Sequence, residues 1–271
     1  MSQRIHHLSC ATMCPSAGLV PGLAPSRLVA HCLLVEGPEG LTLVDTGFGT
    51  ADVADPVGRL GRPFVMSVGA RMNLALTAVA QVRALGYDPS DVRDIVVTHL
   101  DGDHAGGLGD FPWARVHVHA DELATARTRP TLLDKTRYSA KQWAHDPTWV
   151  EHRPGGDRWF GFESVQAVSE DVLLIPLRGH TFGHSAVAVR RPGGGWFLHA
   201  GDGYYFADEK LTPPSCPPGL RATQILMEMD RRSRITNQGR LRELHAAHGD
   251  EVTIICAHDA SEFDALAAVT D

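Results

Sequence analysis

The stretch "VVTHLDGDHAGG" (96–107) follows an apolar run and brings His99, Asp103 and His104 close together in the chain. A loop that reads His-x-His-x-Asp-His after an apolar strand can hold two metal ions, because one backbone bend aims neighbouring side chains inward. Here Asp101 stands at the position of the second histidine. Either this substitution breaks the site, or the carboxylate binds a metal in place of an imidazole, as carboxylates can for zinc, iron, manganese and cobalt. The stretch therefore predicts a metal-binding loop in which the role of Asp101 is open.

Polar residues also follow other apolar runs of the chain. The runs "LTLV", "DIVVT", "VLLIPL", "WFLHA" and "VTIICA" have the length and the β-branched content of strands. Each run is followed by a histidine or an aspartate, and these residues are Asp45, His99, His180, Asp202 and His258. If the carboxyl ends of the strands meet at one edge of the sheets, they form a polar cluster on a rigid scaffold, which is a favoured place for a functional site.

Helical patterns lie between several of these strands. The sequence predicts helices at 72–87, 120–127 and 236–250, and glycine- and proline-rich loops at 15–25, 190–195 and 211–220. Strands mixed with helices favour an α/β fold in which helices cover buried sheets. We expect one domain over residues 1–271, with about residues 1–30 as an N-terminal extension.

The composition is ordinary for a globular protein, with 43% hydrophobic and 21% charged residues in a chain of 271. The net charge of -7 argues against a nucleic-acid partner, because such proteins need clustered Lys and Arg to neutralise phosphates. We expect no membrane span, since no apolar run is long enough, and the N-terminus lacks the basic start and apolar core of a secretion signal. The five cysteines are scattered and odd in number, which is typical of free thiols in a reduced, cytoplasmic protein.

Five short motifs occur in the order "VDTG", "THLDGDHAGG", "GHTFGHS", "AGDGYY" and "CAHD". Together they resemble the metallo-β-lactamase superfamily of metal-dependent hydrolases, from about Leu33 to Asp259. Within that superfamily the chain is most similar to the N-acyl-homoserine-lactone lactonase type, because "ALGYDPSDVRDIVVTHLDGDHAGG" resembles the segment leading into that family's metal loop. The resemblance implies a four-layer αββα sandwich with the metals at one edge between the sheets.

The resemblance also implies two divalent metal ions with a shared water or hydroxide that attacks the substrate. The family's ligand positions fall on seven residues of this sequence, one set for each ion and one residue that bridges them: His99, Asp101 and His180; Asp103, His104 and His258; and Asp202 as the bridge. With Asp101 the ions face three carboxylates instead of two, so we expect weaker Lewis acidity. Zinc is the ion we expect first, and Asp101 makes iron or manganese the alternatives.

Five residues have roles beyond metal binding in the family pattern or lie beside residues that do. Asp103 could pass a proton to the departing oxygen, and Tyr205 would direct its hydroxyl at the substrate carbonyl, with Tyr204 as the alternative for that role. Asp45 would orient the metal loop. His184 follows His180 by one helical turn and is either a support for the ligands or a packing residue.

An aromatic-rich segment lies between the metal loop and "GHTFGHS". We place a lid or pocket wall at about 128–165, with Trp143, Trp149, Trp159 and Phe160 as candidate substrate-pocket residues. The alternative interpretation is a packed connection that covers the sheet.

The leading functional hypothesis is a metal-dependent hydrolase that uses a hydroxide activated by two metals on an ester or lactone, with acyl-homoserine lactones among the candidates. The alternatives are a phosphodiester or thioester hydrolase of the same fold, a di-iron redox or oxygen-handling protein, and a non-catalytic binding protein with a degenerate metal site. We expect a small-molecule substrate, and a homodimer is the candidate assembly because relatives are often dimers.

Overall fold

Two β-sheets contain the apolar runs of the sequence. The structure is a computed structural model, and it describes residues 4–153, 155 and 157–268. The first sheet has seven strands in the order β4-β1-β2-β3-β5-β6-β7, and the second has six in the order β13-β12-β11-β10-β9-β8. The strands of the first sheet are β1 Ile5–Met13, β2 Leu28–Gly37, β3 Gly40–Val44, β4 Ala70–Arg71, β5 Val92–Val96, β6 Arg115–His119 and β7 Thr148–His152. Those of the second are β8 Asp157–Trp159, β9 Phe162–Ser169, β10 Val172–Pro176, β11 Ser185–Arg190, β12 Trp196–His199 and β13 Val252–Ile255.

Helices cover the outer faces of the two sheets. They are α1 Thr50–Ala54, α2 Pro56–Leu60, α3 Arg62–Val68, α4 Ala78–Ala84, α5 Gly102–Ala105, α6 Ala120–Thr128, α7 Leu132–Arg137, α8 Pro218–Met227, α9 Arg231–His248 and α10 Ala260–Ala267. Short 3-10 helices occur at Ser16–Leu19, Leu74–Leu76, Pro89–Asp91, Gly106–Asp110, Ala140–Trp143 and Ala207–Lys210. In the described part of the chain, no helix is both long and apolar enough for a bilayer span.

The four layers arise because successive side chains of a strand pack on opposite faces of its sheet. On β2, Leu33 and Val35 pack with Leu174 and Val187 of the second sheet, whereas Leu34 packs with residues of the outer helices. Because side chains alternate between the two faces of a strand, a strand that is buried on both faces reads as a continuous apolar run. On the far side, residues of β10 to β13 pack against α9. The predicted four-layer αββα sandwich is therefore confirmed.

One predicted helix is shorter than its apolar pattern. The pattern predicts a helix over 72–87, but the structure has a 3-10 turn at Leu74–Leu76 followed by α4. Asn73 and Thr77 each accept a backbone N–H two or three residues ahead, so both begin a new helical segment. The predicted loop at 211–220 also ends early, because Pro218 begins α8. The predicted helix at 236–250 starts earlier, at Arg231, where Asp230 caps the first turn.

The N-terminus differs from its prediction as an extension. Ile5–Met13 forms β1, which pairs with β2 on one side and with β4 on the other. The sequence did not predict this strand, because its histidine, serine and threonine residues interrupt the apolar pattern. In the structure Ile5, Leu8 and Met13 of the strand are buried. Residues 1–30 therefore include a strand inside the first sheet.

Five strand ends meet where the two sheets approach each other. β3 and β5 are parallel neighbours in the first sheet. In the second sheet β12 and β13 are parallel, and β10 runs in the same direction because it is separated from β12 by the antiparallel β11. The residues that follow these five strands form the candidate site.

Candidate metal centre

Asp202 occupies the middle of a buried cluster of histidines and aspartates. It follows β12 after Gly201, whose φ is +53° and whose hydrogen leaves room for His184; a Cβ there would lie 2.7 Å from the His184 Nε2 atom. The two carboxylate oxygens of Asp202 face two different groups of residues. This arrangement is the geometry of a carboxylate that can bridge two cations.

The first group surrounds Asp202 Oδ2. The His180 Nε2 atom lies 3.4 Å from this oxygen, and the His99 Nε2 atom lies 3.9 Å from it. Asp101 completes the group, with its Oδ2 atom 3.0 Å from His180 Nε2 and 3.5 Å from His99 Nε2. These three residues have ligand atoms near enough to share one ion.

The second group surrounds Asp202 Oδ1. The Nε2 atoms of His104 and His258 are each 3.1 Å from this oxygen. Asp103 lies beside them, with its Oδ2 atom 3.7 Å from His258 Nε2. The ligand atoms of Asp103, His104 and His258 also lie near enough to share one ion. The structure thus brings together all seven residues that the sequence placed at the centre.

The hydrogen bonds of the histidines leave their Nε2 atoms facing this centre. His104 Nδ1 lies 2.8 Å from Asp45 Oδ2, and His258 Nδ1 lies 2.8 Å from the Val29 carbonyl oxygen. In the neutral ring that a metal ion requires, the proton donated there leaves the Nε2 lone pair directed at the centre. Asp45, at φ +57°, also accepts from the backbone N–H of Thr98, which places it between two strand ends.

Several buried acceptors in the centre have no hydrogen-bond partner among the described residues. They include His99 Nε2, His104 Nε2 and Asp202 Oδ1. Acceptors buried at such short separations repel one another unless a cation lies between them. The donor set of four imidazoles and three carboxylates also suits divalent transition metals. The residues present therefore fit the metal ions that the family implies.

The carboxylates make this centre electrically negative. Burial would lower the pKa of His258, but the nearby Asp202 and Asp103 carboxylates raise it to about 9. The pKa of His104 is likewise raised well above its ordinary value, because Asp202 and Asp45 outweigh the effect of burial. A centre that holds protons this strongly also attracts metal cations.

Arg137 at the end of α7 adds a positive charge that the sequence did not indicate. Its Nε atom is 3.2 Å from Asp101 Oδ1, and its side chain is 1% exposed. The same guanidinium donates to the carbonyl oxygens of His180, at 3.0 Å, and Met227, at 2.6 Å. Although burial would raise the pKa of Asp101, Arg137 together with His99 and His180 holds it well below its ordinary value. Asp101 is thus held as a carboxylate, with one oxygen facing Arg137 and the other facing the histidines.

The two neighbouring tyrosines point in different directions. Tyr204 donates its hydroxyl to Glu262, at 2.9 Å, on the side away from the centre. The Tyr205 hydroxyl lies 3.4 Å from His180 Nδ1, and its ring is 5.4 Å from that of His258. Burial and the Asp202 carboxylate raise the pKa of Tyr205 well above its ordinary value, so its hydroxyl keeps its proton. Tyr205 is therefore the tyrosine that faces the centre.

His184 supports the centre without directing a free nitrogen into it. Its Nδ1 atom lies 2.9 Å from the Leu177 carbonyl oxygen, and its Nε2 atom accepts the backbone N–H of Asp202 at 2.9 Å. Both ring nitrogens are therefore engaged. The contact with Asp202 positions the residue that lies between the two groups.

Glu122 of α6 is a second supporting residue that the sequence did not indicate. Its carboxylate accepts from the backbone N–H of Leu100, at 2.9 Å, and from the hydroxyl of Thr181, at 2.6 Å. It also accepts from Tyr138, at 3.1 Å. Glu122 thus ties the metal loop to the loop that carries His180. A buried glutamate in an otherwise ordinary helix has no local sequence signal for this role.

A cavity of about 890 Å³ opens beside Asp101. It is lined by parts of α2 and α3, by Met227 at the end of α8, and by residues between Arg129 and Gln142. The first part of the segment predicted as a lid or pocket wall, 128–165, therefore does line a cavity. The remainder contains β7, β8 and the start of β9.

The four aromatic residues predicted for the substrate pocket do not line this cavity. Trp143 and Trp149 make an edge-on pair against the core of the first sheet. Trp159 packs edge-on against Trp196, and Phe160 contacts the ring of His248, both on the outer side of the second sheet. Large aromatic rings stabilise a fold most when they are buried, and here they are packed against the faces of the sheets. The alternative interpretation, a packed connection, describes these four residues.

Comparisons with known proteins agree with this architecture. The family described as "Metallo-beta-lactamase superfamily" matches residues 26–225. A probable metallo-hydrolase of Mycobacterium tuberculosis is 44% identical over 265 residues, covering 94% of this chain and 80% of that protein. The N-acyl homoserine lactonase AttM of Rhizobium johnstonii is 32% identical over 190 residues, covering 66% of this chain and 68% of that protein.

Solved structures share the fold at lower identity. The structure of the B. thuringiensis AiiA mutant with N-decanoyl-L-homoserine bound at its active site has a TM-score of 0.72 and 20% identity, covering 98% of this chain and 96% of that one. The family match extends over most of the chain and includes the first six of the seven residues of the centre. The chain is a hydrolytic enzyme that belongs to the metallo-β-lactamase superfamily.

Proposed function

We propose that this protein is a dinuclear metal-dependent hydrolase that cleaves an ester or a lactone, with acyl-homoserine lactones among the candidate substrates. The observation that carries the proposal is the position of Asp202, whose two oxygens face two separate groups of ligand atoms. The lactonase relatives support the ester or lactone as the substrate class.

Seven residues would hold the ions in this proposal: His99, Asp101 and His180 for one, Asp103, His104 and His258 for the other, and Asp202 for both. When bound, the ions would lower the pKa of a water molecule and polarise the carbonyl that it attacks. We propose zinc first, with iron or manganese as the alternatives that the additional carboxylate of Asp101 introduces.

Two residues of the chain would act on the substrate itself. The protonated hydroxyl of Tyr205 would donate a hydrogen bond to the substrate carbonyl oxygen and favour the charge that develops there. Asp103 could bind an ion through one oxygen and use the other to pass a proton to the departing oxygen. Hydrolysis breaks the bond between the carbonyl carbon and that oxygen, and yields an acid and an alcohol from an ester or a single hydroxy acid from a lactone.

The test combines metal content with turnover. Purified protein is analysed for bound metals by mass spectrometry, and the same sample is assayed with an acyl-homoserine lactone and with an aryl ester. We expect about two ions per chain and hydrolysis of at least one substrate. Asp202→Asn should lose both metal and turnover, because one amide oxygen cannot replace two carboxylate oxygens as ligands for two cations.

Asp264→Asn is the matched control, since this exposed carboxylate pairs only with the exposed Arg27 in the described structure. It should keep both properties. Stoichiometric metal without turnover of any ester or lactone would contradict the proposed activity, and unchanged metal content in Asp202→Asn would contradict the bridging role. Light scattering on the same samples tests the predicted homodimer.

A further inference from the structure

The cavity beside Asp101 has more basic than acidic residues in its lining. Asp101 is the one carboxylate among the described residues that line it, whereas the basic lining residues are Arg59, Arg129, Lys135, Arg137 and Lys141. The whole chain has a net charge of -7. This acidic protein thus has an excess of basic side chains around a cavity that adjoins Asp101.

Two of the five basic side chains are each balanced by a buried carboxylate. Arg137 faces Asp101, and Arg59 donates to Asp52 at 2.7 Å. The first pair lies beside the metal centre, and the second joins α2 to α1. They leave three positive charges in the cavity wall that no carboxylate of the lining neutralises.

Those three charges lie on the side of the cavity formed by α7 and the residues around it. Lys141 donates to the Gly58 carbonyl oxygen, at 2.6 Å, and no carboxylate among the described residues pairs with its charge. The side chains of Arg129 and Lys135 make no hydrogen bond or ion pair with the described residues. They are therefore available to a ligand.

An apolar wall lies in the same cavity. It is formed by side chains from α2, α3, α7 and α8, namely Val57, Leu60, Phe64, Leu133, Leu226 and Met227. Val57 is 52% exposed and Leu226 is 74% exposed. A ligand that buries their apolar surfaces would therefore gain binding free energy. A ligand that matches both parts of this lining combines an apolar chain with a negatively charged group.

We propose that the substrate is an ester or lactone whose acyl part is an apolar chain with an anionic group at its far end. This inference rests on the proposed function. The carbonyl would lie beside Asp101 and the metal centre, the chain along the apolar wall, and the anion against Lys135 and Arg129. Hydrolysis adds one water across the carbon–oxygen bond, so an ester gives an alcohol and an acid that keeps the distal anion, and a lactone gives a single hydroxy acid that keeps it.

The test compares substrates that differ only at the far end of the chain. Para-nitrophenyl octanoate is neutral there, and the mono-para-nitrophenyl ester of suberic acid carries a carboxylate. With the metal-loaded protein we expect kcat/KM to be about tenfold higher for the anionic ester, with the advantage falling as salt is added, because salt screens exposed charges.

Charge-removing variants identify the residues responsible. Lys135→Gln and Arg129→Gln should each lower the ratio of kcat/KM for the anionic ester to kcat/KM for the neutral ester by about three- to fivefold, as expected for single solvent-accessible charge pairs. Arg93→Gln is the control, because this exposed residue lies at the start of β5, the end of that strand away from the metal loop. It removes one positive charge from the surface and should affect both esters equally.

A binding measurement keeps this inference separate from the proposed function. Calorimetry with the metal-loaded protein should show tighter binding of octane sulfonate than of octanol, and Lys135→Gln should reduce the difference. Equal binding of the two ligands, or equal kcat/KM for the two esters in every variant, would overturn the anionic substrate. Absence of hydrolysis of both esters and of a lactone, with the sulfonate still preferred, would contradict the proposed activity and support the anion site.

Discussion

The ion pair between Arg137 and Asp101 should contribute more to stability than its single contact indicates. The two charged atoms are 3.2 Å apart and the arginine side chain is 1% exposed. At that separation, with an effective dielectric constant of about 20, two unit charges attract by about 5 kcal/mol. Desolvation offsets part of this attraction, but removal of one partner leaves the other charge buried and unpaired, which typically costs about 3–5 kcal/mol.

Arg137→Met keeps the apolar stem and removes the charge, and Asp101→Asn removes the opposite charge. We expect each substitution to lower the free energy of unfolding of the metal-free protein by about 3 kcal/mol, and the double variant to lose much less than the sum. Urea unfolding after chelation of metals measures the double-mutant cycle. The pair Arg115–Asp94 is the control, because its N–O distance is shorter, 2.8 Å, while its arginine side chain is 53% exposed.

Arg115→Met should lower the free energy of unfolding by less than about 1 kcal/mol, because the guanidinium is exposed to solvent and the buried Asp94 carboxylate keeps His117 as a partner. The ion pair between Arg137 and Asp101 also determines the expected effect of Asp101→His. Although this substitution restores the familiar metal motif, it places an imidazole beside the guanidinium, so metal retention should fall unless Arg137→Met is added. A coupling energy below about 0.5 kcal/mol between the two positions, or full metal retention in Asp101→His alone, would refute the reasoning.

Three other predictions concern the support of the centre and the response to pH. Tyr205→Phe should lower kcat by about tenfold or more while metal content holds, because one preorganised donor is lost; Tyr204→Phe should leave kcat unchanged, and the reverse order would contradict the assignment. Asp45→Asn should weaken metal affinity by about 10- to 100-fold, measured by chelator competition, because His104 loses the partner that orients it; unaltered affinity would exclude that role. Burial and the neighbouring histidine lower the pKa of His152 from 6.5 to about 4, so the unfolded chain takes up a proton at a higher pH than the folded one and stability should fall between these values as the pH drops. His152→Gln should flatten that slope by up to about 1.4 kcal/mol per pH unit in urea titrations, and an equal slope would sink the idea.

The metal centre could be predicted from local sequence because its residues come directly after strands. His99 and Asp202 each follow an apolar strand, and the carboxyl ends of such strands meet at one edge of the sheets. The motif spacing predicted which side chains come together. It could not choose between Tyr204 and Tyr205, because that choice depends on the distant Glu262.

The features that the sequence did not predict depend on contacts between segments far apart in the chain. Arg137 pairs with Asp101 across 36 positions, and nothing in the local sequence of α7 distinguishes it from a surface arginine. The prediction that aromatic residues of 128–165 line the substrate pocket was wrong for a related reason. Trp159 is a suitable residue for a ligand pocket and for a sheet face alike, and only the position of Trp196 opposite it decides between them.

The centre draws its side chains from both sheets, and this gives a bound ion a role in holding the fold together. His99 and His104 come from the half of the chain that forms the first sheet, whereas His180, Asp202 and His258 come from the second. An ion held by residues of both halves acts as a removable crosslink, since unfolding must release it. At a free metal concentration about 100 times the dissociation constant, one such site adds about 2.7 kcal/mol to the free energy of unfolding. The melting temperature of this enzyme should therefore report the metal concentration around it, so that scarcity of metal weakens the scaffold as well as the chemistry.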